Sequence, residues 1–436
     1  MTTSLPVKEH TLRRVLTGEL HARTFEPIRA PAQVSHMAFL CGERGTGVNN
    51  RHLCRLLEHF GAPVPEELGQ YYMADLGDIR LHWERHTEFV TYTFTRSAPF
   101  DHPFRDPVIR RIPQDWLQDC PGELVTAVSL AMESGDMPER DLPELSRLFE
   151  GNIVIGSEVV GGKGRAWSDL RIHDDGLAWI LLRNDGLSEA QAGRLVKRIL
   201  EVNAYRIMTL LGLPMARKAS RSLSTADRRL SDLAARMADP EAQECGHSQS
   251  ELLSDLSHLA SQIEAVAAQT TYRFEASRAY YRVVKQRLEQ LRQRRIEGLQ
   301  TFTEFLEARL APAVATCESV GERQRNLAER AARLTALLRA RVEVDLQAQN
   351  RNLLESMDRR ARLQLRLQDT VEGLSVIAIS YYGVGLAGYA LKGLEGIGLP
   401  VNPALGMGLA TPLVAFSAWL FLQKVKRRIL RDEKLD

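Results

Sequence analysis

The sequence predicts an α+β cytoplasmic domain followed by long α-helices and a C-terminal two-helix transmembrane hairpin. Three observations carry this reading. Strand-like segments are confined to about residues 30–215, a long Arg-rich stretch poor in proline and glycine follows, and two charge-free apolar runs close the chain. The expected divisions are an α/β domain over 1–215, a stalk-like helical region over 216–372, a hairpin over 373–422 and a basic tail over 423–436.

In the first division, Val34–Cys41 reads as a strand and Val48–Phe60 as a helix ended by Gly61 and Pro63. Gln70–Asp75, Ile79–Trp83 and Glu88–Thr95 are rich in Thr, Tyr, Phe and Val, the strand formers. Glu123–Met132, Asn152–Val160, Ala166–Ile172 and Ala178–Leu182 are further strands by the same criterion. Ser188–Leu211 reads as a helix started by a Ser188 cap and closed before Pro214. A sheet with a few covering helices is the simplest arrangement.

After Pro214 strand signals stop. Thr225–Met237 reads as helix and Asp239–Ser250 as a polar connector. Ser248-x-x-Glu251 then has the pattern of a capping box opening a long helical run, with expected breaks near Gly298 and Pro312. From Ala313 to Thr370 there is no proline and one glycine, Gly321. Apolar residues from Leu327 to Leu367 form a loose stripe without clean heptads, so this helix needs neighbours to pack on, from its own chain or from other subunits.

The apolar runs are Gly373–Leu391 and Ile397–Leu422. Each is long enough for a ~30 Å hydrocarbon core, which takes about 20 residues as a helix. Arg359, Arg360, Arg362 and Arg366 precede the first run; Lys424, Lys426, Arg427 and Arg428 follow the second. Basic flanks at both outer ends predict both termini in the cytoplasm and a short external loop near Lys392–Gly398. Trp419 and Phe421 sit where an aromatic belt would place them, and MTTSLPVKEHTLRR lacks a signal peptide's apolar stretch.

The chain has 436 residues, a formal net charge of +2 and 26% charged residues, enough for one or two domains beside the membrane part. Near-neutral charge gives no case for a nucleic-acid partner. Five scattered cysteines without a C-x-x-C pair fit reduced thiols in the cytosol.

Motifs with chemical content are sparse. Gly42-Glu43-Arg44-Gly45-Thr46-Gly47 lies between a strand and a helix, but its glycine order is wrong for a dinucleotide fingerprint, and a tight turn is the simpler reading. Gly161-Gly162-Lys163-Gly164 fails the Walker pattern at Ser157 and Gly164 and reads as a hairpin turn. His82, His86, His173, Asp174 and Asp175 have the chemistry of divalent-ion ligands. His82 and His86 fall on one face of a strand, a surface or core role is the simpler assignment, and Asp174-Asp175-Gly176 reads as a turn. Glu19–Pro27 is dense in functional side chains and reads as a charged helix end and an extended lead. No nucleophile, base and orienter set is evident, so the chain is not expected to be an enzyme, and no cofactor is implied.

The segments ELHARTFEPIRAP (Glu19–Pro31), WERHTEFVTYTF (Trp83–Phe94) and ISYYGVGLAGYALKGL (Ile379–Leu394) resemble an uncharacterised family of bacterial membrane-anchored proteins known only as a domain of unknown function. That resemblance implies the bacterial inner membrane and no chemistry. A more distant architectural likeness is to the CorA-type metal-ion transporters, which run a long helix from a cytoplasmic α/β domain into a pore-lining span. Those proteins carry Tyr-Gly-Met-Asn at the outer end of the first span; here Gly388–Gly393 reads GYALKG, with Lys392 in place of a cation-receiving group.

Two functional expectations follow. One is a CorA-like homo-oligomeric ion channel or transporter with a cytoplasmic regulatory domain, with cations as its cargo. Its candidate pore or helix-packing residues are Ser380, Tyr381, Gly385, Gly388 and Tyr389, since small residues admit close helix approach and mid-span polar groups avoid lipid. The other is a membrane-tethered sensor or scaffold without transport, supported by the absence of Asp, Glu or Arg inside either run.

Overall fold

Strand β1 (Ala32–Leu40, AQVSHMAFL) is buried at every residue but its last. Its mostly apolar run suits a strand with cover on both faces. Around it a nine-stranded sheet forms in the order β2-β3-β4-β1-β5-β8-β7-β6-β9 in this computed structural model. The structure describes residues 10–13, 17, 25–42, 46–66, 68–239, 249–396 and 402–432. They fall into two compact units, Met1–Thr335 and Ala336–Asp436.

The other strands are β2 (Tyr71–Asp75), β3 (Arg80–Arg85), β4 (Phe89–Arg96), β5 (Glu123–Ser134), β6 (Ile155–Val159), β7 (Gly164–Ile172), β8 (Ala178–Asn184) and β9 (Arg294–Arg295). All neighbours are antiparallel except β5 and β8, which run parallel. A parallel pair needs a long crossover, and β6 and β7 with helix α3 (Leu142–Leu148) lie between these two strands in sequence. The α3 end is fixed by a capping box: the Asp141 carboxylate accepts from the Glu144 amide at 2.7 Å while Glu144 accepts from the Asp141 amide at 3.1 Å.

One face of the sheet packs on α1 (Thr46–His59) and α2 (Gln114–Gln118), through a core that includes Leu53, Leu57, Trp83, Tyr92, Phe94 and Trp116. The other face is covered by α4 (Glu189–Leu210), with Leu195, Ile199 and Met208 against Val128, Leu130 and Leu182. Ser188 caps α4 as expected, accepting from the Gln191 amide at 3.3 Å. The chain at Phe25–Ile28 crosses α4 at Gly193, where any Cβ would collide with the Glu26 carbonyl. Only glycine permits that crossing, and it is pinned by the Ile28 amide donating to the Glu189 carbonyl at 3.0 Å.

Helix α5 (Gly212–Ala238) starts earlier than the expected Thr225. Pro214 lies in its first turn, where a missing N–H removes no helical bond. Helix α6 (Gln249–Gln290) follows, and residue 248 of the expected capping box lies outside the described residues, as does most of the polar connector. Two expectations are corrected. Strand signals do not end at Pro214, because Arg294–Arg295 adds to the sheet edge against Ser157 and Glu158. The helical run breaks around Gly298, whose φ is +80°, but not at Pro312, which lies inside α7 (Phe302–Gly396). Burial of Leu306, Leu310, Ala313 and Val314 beside it offsets a cost of about 3 kcal/mol for an interior proline.

In the second unit α7 continues and is followed by α8 (Pro403–Asp432). Stretches within Phe302–Gly393 and Ala404–Lys424 are long and apolar enough to cross a membrane. The two apolar stretches meet along a seam of small residues. A Cβ on Gly383 would come 2.6 Å from Val414 Cγ1, on Gly388 2.5 Å from Met407 Sδ, and on Gly406 2.6 Å from Leu391 Cδ1. The end of the expected external loop, residues 397 and 398, lies outside the described residues.

Candidate functional site

The face of the sheet under α4 changes character along its width. Toward β8 it is apolar. Toward β3 it is polar, because strand alternation and register bring five polar positions together. His36 of β1 pairs with Thr93 of β4, Thr93 pairs with His82 of β3, and Thr91 pairs with Glu84. His82 and Glu84 are two residues apart and point to the same side. Helix α4 adds Lys197 and Tyr205 from above, and the Phe25–Glu26 segment forms the rim.

These groups line a cavity of about 50 Å³. That exceeds the 10–15 Å³ needed for one water. Glu84 is its electrostatic centre: the Lys197 ammonium donates to its Oε1 at 2.5 Å, His82 Nε2 lies 3.4 Å from the same oxygen, and His86 Nε2 lies 3.8 Å from Oε2. Burial raises the Glu84 carboxyl, but the Lys197 charge, the neighbouring His82 ring and the Lys197 hydrogen bond together outweigh it and hold the pKa below the ordinary value. Glu84 is therefore a carboxylate at neutral pH.

The histidines are the opposite case. Burial is the largest influence on His36 and pushes its pKa down to about 3 despite the nearby Glu84 carboxylate. Burial likewise lowers His82. Both are neutral imidazoles at pH 7, each with one donor and one acceptor nitrogen. His36 Nδ1 meets Thr93 Oγ1 at 2.8 Å, whereas His36 Nε2 and His82 Nε2 are buried with no hydrogen-bond partner among the described residues. The 3.4 Å approach of His82 to Glu84 is misaligned for a hydrogen bond. Two orphaned ring nitrogens thus flank a carboxylate–ammonium pair.

His86 forms the far wall, stacked on Phe89 with ring centroids 4.1 Å apart, its Nδ1 3.4 Å from the Tyr205 hydroxyl. His86, Phe89 and Tyr205 also bound a second cavity of about 360 Å³ that reaches Gln70, Arg85 and Tyr280. Its roof is held by Glu88 in the β3–β4 turn. Arg273 of α6 donates to both Glu88 oxygens, at 3.0 and 2.7 Å, and the Tyr280 hydroxyl donates to Oε1 at 2.6 Å. Burial and the adjacent Glu88 push the Tyr280 phenol far above its usual range, keeping it a donor.

The histidines singled out in the sequence separate into two places. His82 and His86 join the cavity. His173 belongs to another cluster, its Nδ1 2.9 Å from Glu150 Oε2, its Nε2 3.0 Å from Asp169 Oδ2 and its ring stacked 3.6 Å from Trp179. Asp175 closes the β7–β8 turn, accepting from the Leu177 amide at 2.9 Å and the Trp179 indole at 3.0 Å. Gly161 and Gly162, both at positive φ, form the β6–β7 hairpin turn. Residues 43–45 of the first glycine-rich segment lie outside the described residues. Among the described residues no three His, Cys, Asp or Glu side chains are placed to hold a metal ion.

His36, Glu84 and Lys197 were not singled out by sequence reasoning. Glu84 had a local signal, standing between His82 and His86 at strand spacing. His36 and Lys197 had none, since they meet the others only through register and the packing of α4.

The five candidate residues of the first apolar run divide between two faces of α7. Ser380 and Gly388 are on the side toward α8. Tyr381, Gly385 and Tyr389, four residues apart, share an exposed side, with Tyr381 76% and Tyr389 79% exposed. No atom lies within 4 Å of a Cβ placed on Gly385.

Comparison with known proteins adds a family and no activity. The chain belongs to the family described as protein of unknown function (DUF3422), whose model matches residues 8–429. No curated protein matches the sequence.

Proposed function

We propose that this member of the DUF3422 family is a membrane-tethered sensor, in which the α/β unit binds a small polar molecule and the two apolar helices are the anchor. The observation that supports the reading is the pair of orphaned nitrogens, His36 Nε2 and His82 Nε2, beside Glu84 and Lys197. A buried polar group without a partner costs about 1–3 kcal/mol, and an apolar core would avoid that cost. Clustered, strongly perturbed ionisable groups around a cavity are characteristic of binding sites. The ligand class that fits carries both a donor and an acceptor within the span of one or two non-hydrogen bonds. In this reading the anchor lies in a bacterial inner membrane with both termini cytoplasmic, as the basic flanks favour.

The test is a thermal-shift screen of the full chain in detergent against formate, acetate, ammonium, glycine, urea and divalent cations, run beside a His36→Leu, His82→Leu double variant. One class should raise the melting temperature of the wild type and leave the double variant unmoved. A flat response in both would make the cavity a structural feature.

An ion-conducting homo-oligomer is the second reading, favoured by one observation: the exposed Tyr381–Gly385–Tyr389 side of α7 offers polar and small groups to other subunits. Ion flux in liposomes that falls on Gly385→Leu would support conduction. No flux from the wild type would leave the tether reading alone.

A further inference from the structure

The second unit contains a long exposed helical segment whose charge is sorted by side. Between Leu346 and Leu374 nine residues are charged. Eight of them, Arg351, Glu355, Asp358, Arg359, Arg362, Arg366, Asp369 and Glu372, crowd one side of α7. Two pairs on that side, Arg351–Glu355 and Asp358–Arg362, are joined four residues apart. The opposite side follows a seven-residue spacing, with Leu346, Leu353, Arg360, Leu367 and Leu374 on one row and Asn350, Met357, Gln364 and Val371 on the next. Arg360 is the one charge on it. Its leucines are bare: Leu353 is 60% exposed and Leu367 66%.

Resting on the anchor reading above, we infer that this uncharged side of α7 is a parallel, in-register interface with further copies of this chain. Three features choose that occupant. First, α7 is one helix from Phe302 to Gly396, so the stripe runs for about 42 Å along the axis of the apolar stretch and away from any bilayer. Lipid around the apolar stretch cannot cover it. Second, copies anchored in one membrane stand parallel, which places each residue beside its own counterpart. The polar members of the stripe, Asn350 and Gln364, are amides that both donate and accept and so pair with themselves. Third, the rows continue through Ala378, Tyr381 and Gly385, on the side left open in the apolar stretch. Apolar residues alone mark no clean heptad; the exclusion of charge does. Arg360 opposes assembly, and its long stem lets the guanidinium reach solvent.

The test is cross-linking of the full chain in native membranes, in a background with its five cysteines replaced by serine. Single cysteines go in at Leu353 and Leu367 on the stripe, and at Glu355 and Asp369 opposite. A short thiol cross-linker should trap dimers about tenfold more at the first pair than at the second, because only an in-register parallel contact places a residue beside itself. Arg360→Leu should raise the cross-linked fraction further. Equal trapping on both sides, none on either, or loss with Arg360→Leu would overturn the interface. Carbonate extraction run in parallel separates the two ideas. A chain released from membranes contradicts the anchor, whereas a retained chain that does not cross-link contradicts the interface alone.

Discussion

The α/β unit buries two histidine clusters that differ in what faces their ring nitrogens. His173 has both nitrogens against carboxylates, at 2.9 and 3.0 Å, and its ring lies flat on Trp179. His36 and His82 each leave Nε2 without a partner and border a cavity. The first arrangement wedges the ring between two carboxylates, its Nε2 without an aligned hydrogen bond, and ties the Glu150 loop to the β7–β8 corner. The second leaves recognition capacity unused by the fold. Neither burial of a titratable residue nor one unpartnered ring nitrogen therefore marks a site; several polar groups converging on a cavity do.

The comparison can be broken by substitution. The largest effect is expected at Lys197. Lys197→Met leaves Glu84 buried beside neutral imidazoles and should cost about 3 kcal/mol in chemical denaturation, as for other broken buried pairs. Adding Glu84→Leu should recover most of it. Loss without recovery would mean that Lys197 acts through packing and not through the pair.

Next comes His173→Leu, which removes the hydrogen bond to Glu150 and the imidazole beside Asp169, whose carboxylate keeps Asn152, and should cost about 2 kcal/mol. A cost below that of His36→Leu would invert the assignment of the two clusters.

Acid provides the third test. His36 titrates near 3 in the folded chain against 6.5 for an ordinary histidine. Below pH 6.5 the unfolded chain takes up a proton that the folded chain refuses, so this contribution is full above pH 6.5 and is lost as pH falls toward 3. His82, lowered for the same reason, acts in the same direction. Between pH 7.5 and 5 the wild type should lose about 1–2 kcal/mol more stability than His36→Leu. Parallel pH profiles would contradict a neutral buried His36.

The smallest effect is expected from His36→Leu itself at neutral pH, within about 1 kcal/mol of wild type, because it removes an orphaned nitrogen along with one hydrogen bond. A loss above that of Lys197→Met would show His36 to be a structural residue.

Much of the fold was legible in the sequence because its signals are local. Alternation in EFVTYTFT marks β4, Ser188 marks the start of α4, and Gly161-Gly162 marks a hairpin turn. The site was legible only in part. His82 and His86 were visible as a pair on one face, yet Glu84 between them was overlooked as their carboxylate. Lys197 is 113 residues from Glu84, and His36 is 57 from Thr93, distances across which no periodicity speaks. The Arg294–Arg295 strand escaped for another reason: two arginines carry no strand propensity and pair there because the β6 edge is open to them.

The central claim is that the cavity is a ligand site and the His173 cluster is not. Histidine ring nitrogen NMR on the full chain in detergent, titrated with the molecule that shifts melting, reads both clusters at once. Movement of the His36 and His82 Nε2 resonances with His173 unchanged is the predicted result. Resonances of His36 and His82 that stay fixed, or a shift of His173 as large as theirs, would contradict it.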